Sequence, residues 1–185
     1  APHLLERLAA EQPGQRIQTS VRQALQRQTQ ALVNRYAREY SSNHIYNLAA
    51  IVADVETGEV LAYAGNATYP ADERRGNQVD IITSPRSTGS ILKPFLYAGM
   101  LHDGLLLPSM LVSDVPLNIN GFSPHNYNKT FYGAVPAHVA IERSLNVPLV
   151  RMLSQYNTGR FMSLLKSWGM TTLRFSEEHY GASLI

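Results

Sequence analysis

Two apolar runs rich in valine, isoleucine and alanine, residues 48–55 and 60–65, flank the tetrapeptide Glu56-Thr57-Gly58-Glu59. This arrangement restricts the fold more than any other part of the chain, because short β-branched runs on either side of a glycine-bearing turn read as a β-hairpin. Polar residues do not alternate cleanly along either run, so both faces of the hairpin are expected to be covered. A lone two-stranded ribbon is marginal in water and leaves its edges bare, so the sheet is expected to find further strands beyond Ile185.

The periodicity changes after Ser90. Segments near 90–102, 136–144, 147–156 and 160–168 carry helical apolar spacing, with Asp103-Gly104 and Gly169 as stops, and the stretch Leu105 to Tyr132, broken by proline and asparagine, is expected to be irregular. Upstream, Ser20 and Gln23 form a capping-box pattern that predicts a helix from Ser20 to about Arg38, with Val21, Leu25, Leu32 and Tyr36 on its apolar face. Residues 1–18, with Gln12-Pro13-Gly14, read as a linker after a short helical turn, and Pro70 to Asp80 as a polar loop. The expected class is α+β: a helical subdomain on part of an antiparallel sheet, with 19–185 as the N-terminal portion of a domain.

Composition narrows the function by exclusion. A chain of 185 residues with 44% hydrophobic content can bury a core, and a formal charge of +2 is too small to argue for a nucleic-acid partner. There is no cysteine, hence no disulfide framework or thiolate metal site, and the histidines at 3, 44, 102, 125, 138 and 179 lack metal-ligand spacing. No run approaches the roughly 20 apolar residues of a membrane span.

The chemistry is concentrated in Arg86-Ser87-Thr88-Gly89-Ser90-Ile91-Leu92-Lys93-Pro94-Phe95. A serine and a lysine three apart at a helix start can supply a nucleophile and its base from one segment. Lys93 serves as a base only when neutral; from an ordinary pKa of about 10.4 that requires a shift of about three units, or roughly 4–5 kcal/mol. Ile91, Leu92, Phe95 and Leu96 are expected to desolvate the amine, and the helix N-terminus adds positive potential. Pro94 is tolerated where a first-turn amide has no intrahelical acceptor to lose. Spacing alone is a weak signal, since Ser163-Leu164-Leu165-Lys166 repeats it inside an ordinary amphipathic helix.

A second element follows about fifty residues on. Ser144-Leu145-Asn146 falls between two helical stretches, where a hydroxyl can relay a proton and an amide can hold a substrate; the plainer reading is that Asn146 caps the next helix and Ser144 ends the previous one.

Gly89-Ser90-x-x-Lys93-Pro94-Phe95, then Pro124-His-Asn-Tyr-Asn-Lys-Thr-Phe-Tyr-Gly-Ala-Val135, then Ser144-Leu-Asn-Val-Pro148, taken in this order, resemble the transpeptidase domain of class A penicillin-binding proteins. The lead-in Ala1-Pro2-His3 with Arg16-Ile17-Gln18-Thr19, and the tract from Arg86 to Tyr97, look most like the 1C branch of that family. The resemblance implies a penicillin-binding protein and serine β-lactamase type of fold, with the hairpin as the first strands of its central sheet. It implies Ser90 as the acylated nucleophile, Lys93 as its base, Ser144 as proton relay and Asn146 as a substrate-amide contact. The activity implied is D,D-transpeptidation of peptidoglycan stem peptides, with β-lactams as inhibitors and no metal or organic cofactor.

A glycosyltransferase domain and a membrane anchor precede this region in the family, which implies an extracytoplasmic location. The family's Lys-Thr/Ser-Gly strand is absent: Lys129 is followed by Thr130-Phe131 and Lys166 by Ser167-Trp168. The chain is therefore expected to be a C-terminally truncated piece, incomplete as a catalyst. A D,D-carboxypeptidase or β-lactamase of the same fold, and a non-catalytic peptidoglycan-binding module, are the alternatives. Asn126, Tyr127 and Trp168 invite a substrate wall but are more simply core or turn residues.

Overall fold

A computed structural model of the chain describes residues 1–68, 73–119 and 121–185, with the backbone alone at Glu73. Positions 70–72, the start of the expected polar loop, lie outside the described residues. Two compact units, Ala1–Pro85 and Arg86–Ile185, make up the chain.

The first unit contains helix α1 (Pro2–Glu11), helix α2 (Gln23–Glu39), and strands β1 (Ala50–Ala53) and β2 (Val60–Ala64). The expected hairpin is present: β1 and β2 pair antiparallel, with Ile51 opposite Tyr63. Asp54 organises its turn, since one carboxylate oxygen accepts from the Glu56 and Thr57 amides, and Gly58 supplies the left-handed residue at φ +72°.

The α2 helix departs from expectation at its start and on its buried face. It begins at Gln23 rather than at Ser20, because the Ser20 hydroxyl donates to Val60 O at 2.9 Å and the Arg22 amide to Leu61 O, which holds residues 20–22 extended along β2. The face it buries is Gln26, Thr29, Val33 and Ala37, while Leu32 and Tyr36 are exposed. The reason is a stripe of side-chain amides at i, i+4 and i+8. Gln26 accepts from Tyr63 N and donates to Tyr63 O, Gln30 donates to Asn66 O, and Asn34 accepts from Thr68 N. The helix thereby satisfies the edge of β2 that was expected to be bare.

Residues 1–18, expected as a linker after a short turn, contain the ten-residue α1 helix. His3 is buried, its Nε2 lies 2.8 Å from Asn77 O, and a side chain at Gly65 would sit 2.6 Å from the His3 Cβ. Further along the helix Arg7 donates to the Tyr63 hydroxyl, which donates to Asp80 at 2.6 Å. Burial, then the Asp80 carboxylate, push the Tyr63 phenol up to about 12.

The second unit contains a 3₁₀ turn (Gly89–Leu92), α3 (Lys93–His102), β3 (Leu111–Asp114), β4 (Gly133–Pro136), α4 (Ala137–Glu142), α5 (Asn146–Tyr156), α6 (Thr158–Ser167) and the short α7 (Glu177–Tyr180). The four expected helices are all present. Their apolar faces meet around Leu92, Leu96, Met100, Leu149, Met152, Leu153, Phe161 and Leu165, each at most 2% exposed. Complete burial of such a side chain contributes roughly 1.5–3 kcal/mol, so this cluster is the main source of stability in the unit.

The stretch 105–132, expected to be irregular, contains β3, which pairs antiparallel with β4 from Leu111 opposite Pro136 to Asp114 opposite Gly133. Pro108, Pro116 and the asparagines punctuate the ends of this ladder rather than its interior. The second Ser-x-x-Lys lies on α6 as expected, and there Ser163 bonds back to Gly159 O. Among the described residues no helix is long and apolar enough to cross a membrane.

Candidate active site

The second unit brings Lys93, Ser144 and Asn146 together. Lys93 is the first residue of α3 and its side chain is 1% exposed. Its Nζ donates to Ser144 O at 2.9 Å, to Asn146 Oδ1 at 2.5 Å and to Ser144 Oγ at 3.3 Å. No carboxylate is among these partners, so burial acts uncompensated and lowers the amine's pKa below its ordinary value. Of the four apolar neighbours expected to desolvate the amine, Leu92 and Leu96 are buried, whereas Ile91 and Phe95 are 70% and 41% exposed, and Phe95 packs on Trp168.

Ser90 lies one turn before Lys93, exposed, within the 3₁₀ segment. Its carbonyl accepts from the Lys93 amide, which sets the two residues one 3₁₀ turn apart. The Ser90 hydroxyl makes no hydrogen bond among the described residues and is not bonded to Lys93. Gly89 has φ +53° with nothing within 4 Å of where a Cβ would stand, so it serves the turn's left-handed geometry rather than a close approach. Pro94 occupies the first turn of α3, where its missing amide costs nothing.

Ser144 ends α4, and it does so in a conformation that L-residues avoid. Its φ is +50°. The Leu145 amide bonds to Ala140 O and the Ser144 amide to Ile141 O, the pair of contacts of a Schellman motif, whose left-handed position is ordinarily glycine. A serine there accepts backbone strain and gains a hydroxyl beside Lys93.

Asn146 is the first residue of α5 and does not cap it, contrary to the plainer sequence reading. Its side-chain NH₂ donates to His125 O at 2.8 Å, which turns its carbonyl oxygen toward Lys93. One Nδ2 hydrogen is therefore engaged and the second is left for another acceptor. The helix is capped from outside by Asn126, whose Oδ1 accepts from the Asn146 amide at 3.0 Å and the Val147 amide at 3.3 Å.

Asn126, expected to be a core or turn residue, is buried, and it also caps α5, a contact the sequence does not reveal. It is 3% exposed, between the exposed His125 and Tyr127. An asparagine next to a proline-punctuated loop has the signature of a turn; only the tertiary contact with α5 distinguishes it. Tyr127 is fully exposed and Trp168 is half-exposed against Phe95, and neither touches the cluster. Among the described residues no three His, Cys, Asp or Glu side chains converge as a metal site would require.

A model of the penicillin binding protein transpeptidase domain matches residues 48–183. Penicillin-binding protein 1C of Escherichia coli K12 is 32% identical over 170 residues, which span 92% of this chain and 22% of that protein. Penicillin-binding protein 1B of Vibrio cholerae is 30% identical over 110 residues, spanning 56% of this chain and 14% of that protein. The chain therefore spans about a fifth or less of the length of these relatives.

Among solved structures, the penicillin-binding protein PonA1 of Mycobacterium tuberculosis superposes with a TM-score of 0.71 over 92% of this chain and 46% of that one, at 21% identity. The transpeptidase domain of penicillin-binding protein 3 from Burkholderia pseudomallei superposes at 0.65 over 85% and 44%, at 23% identity. These likenesses establish an α+β fold of the penicillin-binding type, as expected. With a family model covering most of its length and a serine-to-lysine turn at the start of its helical unit, this chain belongs to the penicillin-binding protein transpeptidase domain family.

Proposed function

We propose that the protein is a serine D,D-transpeptidase that cross-links peptidoglycan stem peptides, with Ser90 as nucleophile, Lys93 as general base, Ser144 as proton relay and Asn146 as a substrate-amide contact. The observation that carries this reading is the environment of Lys93: a buried amine, without an acid partner, held by three neutral acceptors.

The hydrogen-bond inventory gives the cluster a direction. Ser144 O and Asn146 Oδ1 can only accept, so they take two hydrogens whether the amine is charged or neutral. The third contact, to the Ser144 hydroxyl, is the one that can reverse. In the neutral amine the lone pair is left for a hydroxyl proton, from Ser144 or from Ser90.

When the Ser90 oxygen attacks the carbonyl between two terminal D-alanines, its proton passes to Lys93 Nζ. The Ser144 hydroxyl gives its own proton to the leaving amine as the C–N bond breaks, and recovers one from Lys93. An amine from a second stem peptide then attacks the acyl-enzyme, and the same groups run in reverse order. The Gly89, Ile91 and Lys93 amides are taken up by Ser87 Oγ, Thr88 O and Ser90 O, so the Ser90 amide is the donor this turn offers to the developing oxyanion. A β-lactam would acylate Ser90 through the same first step.

In this reading residues 19–185 form the N-terminal portion of the transpeptidase domain and residues 1–18 connect it to a glycosyltransferase, as in class A relatives. The domain would face peptidoglycan outside the cytoplasmic membrane. The experiment is incubation of the full-length protein with a donor stem peptide, with and without an added acceptor amine, and analysis of products. Cross-linked dimer that is lost in Ser90→Ala supports the proposal. Release of D-alanine by hydrolysis alone, whatever acceptor is added, would assign a carboxypeptidase instead, and binding without turnover that persists in Ser90→Ala would assign a non-catalytic module.

A further inference from the structure

Behind the Lys93 cluster lies a second, wholly buried polar group that the proposed mechanism does not use. Asp114, at the end of β3, is 0% exposed, and every contact its carboxylate makes is with a donor. Asn126 Nδ2 donates to Oδ1 at 2.9 Å and to Oδ2 at 3.0 Å, and the Tyr132 amide donates to Oδ2 at 3.0 Å. Asn126 Nδ2 also reaches Thr130 O at 2.9 Å. With its NH₂ group taken up on that side, the amide of Asn126 has one orientation open to it, with Oδ1 toward the start of α5.

The loop then holds Asn146 at two points from adjacent residues. Asn126 Oδ1 takes its backbone amide and His125 O takes its side-chain amide. Asn146 in turn presents its carbonyl oxygen to Lys93. The path from the acid to the amine is a series of short hydrogen bonds through two asparagines, all within the Arg86–Ile185 unit.

Resting on the transpeptidase reading above, we propose that Asp114 and Asn126 are positioning residues for acylation: they fix the register of α5 and so the grip of Asn146 on the Lys93 amine. Neither touches substrate. A fully buried acid side chain whose hydrogen-bond partners among the described residues are all neutral donors is a costly feature for a purely structural turn, since burying a polar group is unfavourable unless its hydrogen bonds are complete. Its placement behind the side-chain amide that takes the Asn146 backbone N–H accounts for that cost. Because these residues act through Asn146, their effect on acylation has to disappear when Asn146 is removed.

The test is a double-mutant cycle in the full-length protein, reading the second-order rate of acylation by a fluorescent penicillin together with the melting temperature. Asn126→Ala is expected to slow acylation about tenfold or more when Asn146 is present, and less than about twofold in the Asn146→Ala background. Equal losses in both backgrounds would overturn the proposal.

The exchange Asp114→Asn with Asn126→Asp guards against loss of folding. It keeps an acceptor for the Asn146 and Val147 amides, an acceptor for Tyr132 N and one bond between the two side chains. The exchanged protein is expected to acylate within about fivefold of the unaltered rate, whereas Asp114→Asn alone is not. An exchanged protein that melts normally yet acylates no faster than Asp114→Asn alone would also overturn it. If the unaltered protein is not acylated at all, the transpeptidase reading fails; if it is acylated and the cycle is additive, only this inference fails.

Discussion

Ser144 holds a position where the backbone asks for glycine and the proposed chemistry asks for a hydroxyl, and the two demands can be separated by substitution. A left-handed conformation costs an L-residue roughly 1–2 kcal/mol, which glycine avoids. Both Ser144→Gly and Ser144→Ala remove the Oγ beside Lys93, so both are expected to slow acylation about a hundredfold. Their stabilities are expected to differ, with the glycine variant more resistant to urea by about 1 kcal/mol. An alanine variant as stable as the glycine one would contradict the strain assigned to this residue.

Lys93 makes a second prediction at the same scale. Its burial lowers its pKa, so between the folded value and the ordinary value of about 10.4 the unfolded chain carries a proton that the folded chain does not. Stability then rises with pH through that window, while at lower pH the buried ammonium is a cost. Relative to Lys93→Met, the unaltered protein should gain unfolding free energy as pH is raised toward the ordinary lysine value of about 10.4, followed in urea. A difference that stays flat, or falls, would contradict the burial. The meeting of Lys93 with Ser144 and Asn146 was legible in the sequence because each lies in a short motif whose spacing carries a reason, as does the proposed nucleophile Ser90. Asn126 and Asp114 were not, because what they do depends on a contact between a loop and a helix twenty residues away.

At the scale of elements, periodicity located the hairpin and the four helices of the second unit, but it failed on α2. An apolar stripe would put Leu32 and Tyr36 inside; the helix instead buries Gln26, Thr29, Val33 and Ala37 and sets the amides of Gln26, Gln30 and Asn34 on backbone groups of β2 and the residues after it, which polar side chains can satisfy. The β3 strand was missed for a related reason. At four residues, with Leu111 exposed and Asp114 buried, it inverts the usual apolar-in pattern, and the buried acid is paid for only by partners elsewhere in the chain. Gln26 tests the first of these explanations. Gln26→Leu keeps the volume and removes both bonds to Tyr63, leaving a buried amide and carbonyl unpaired, and is expected to cost about 2–4 kcal/mol in urea unfolding. A loss below about 0.5 kcal/mol would mean that the amide stripe does not support β2.

For the molecule as a whole, the α+β class followed from one change of period near Ser90, and the division into units falls just before it, at Pro85 and Arg86. The hairpin with α2 forms one body, and all four residues proposed for the reaction lie in the other, where a large apolar cluster holds α3, α5 and α6. The central claim is that this arrangement makes Ser90 the nucleophile. It is tested most directly by exposing the full-length protein to a penicillin and locating the adduct by peptide mass spectrometry. The account predicts one covalent adduct, on the peptide containing Ser90, abolished in Ser90→Ala and strongly slowed in Lys93→Met. An adduct on any other residue, or labelling that survives Ser90→Ala, would contradict it.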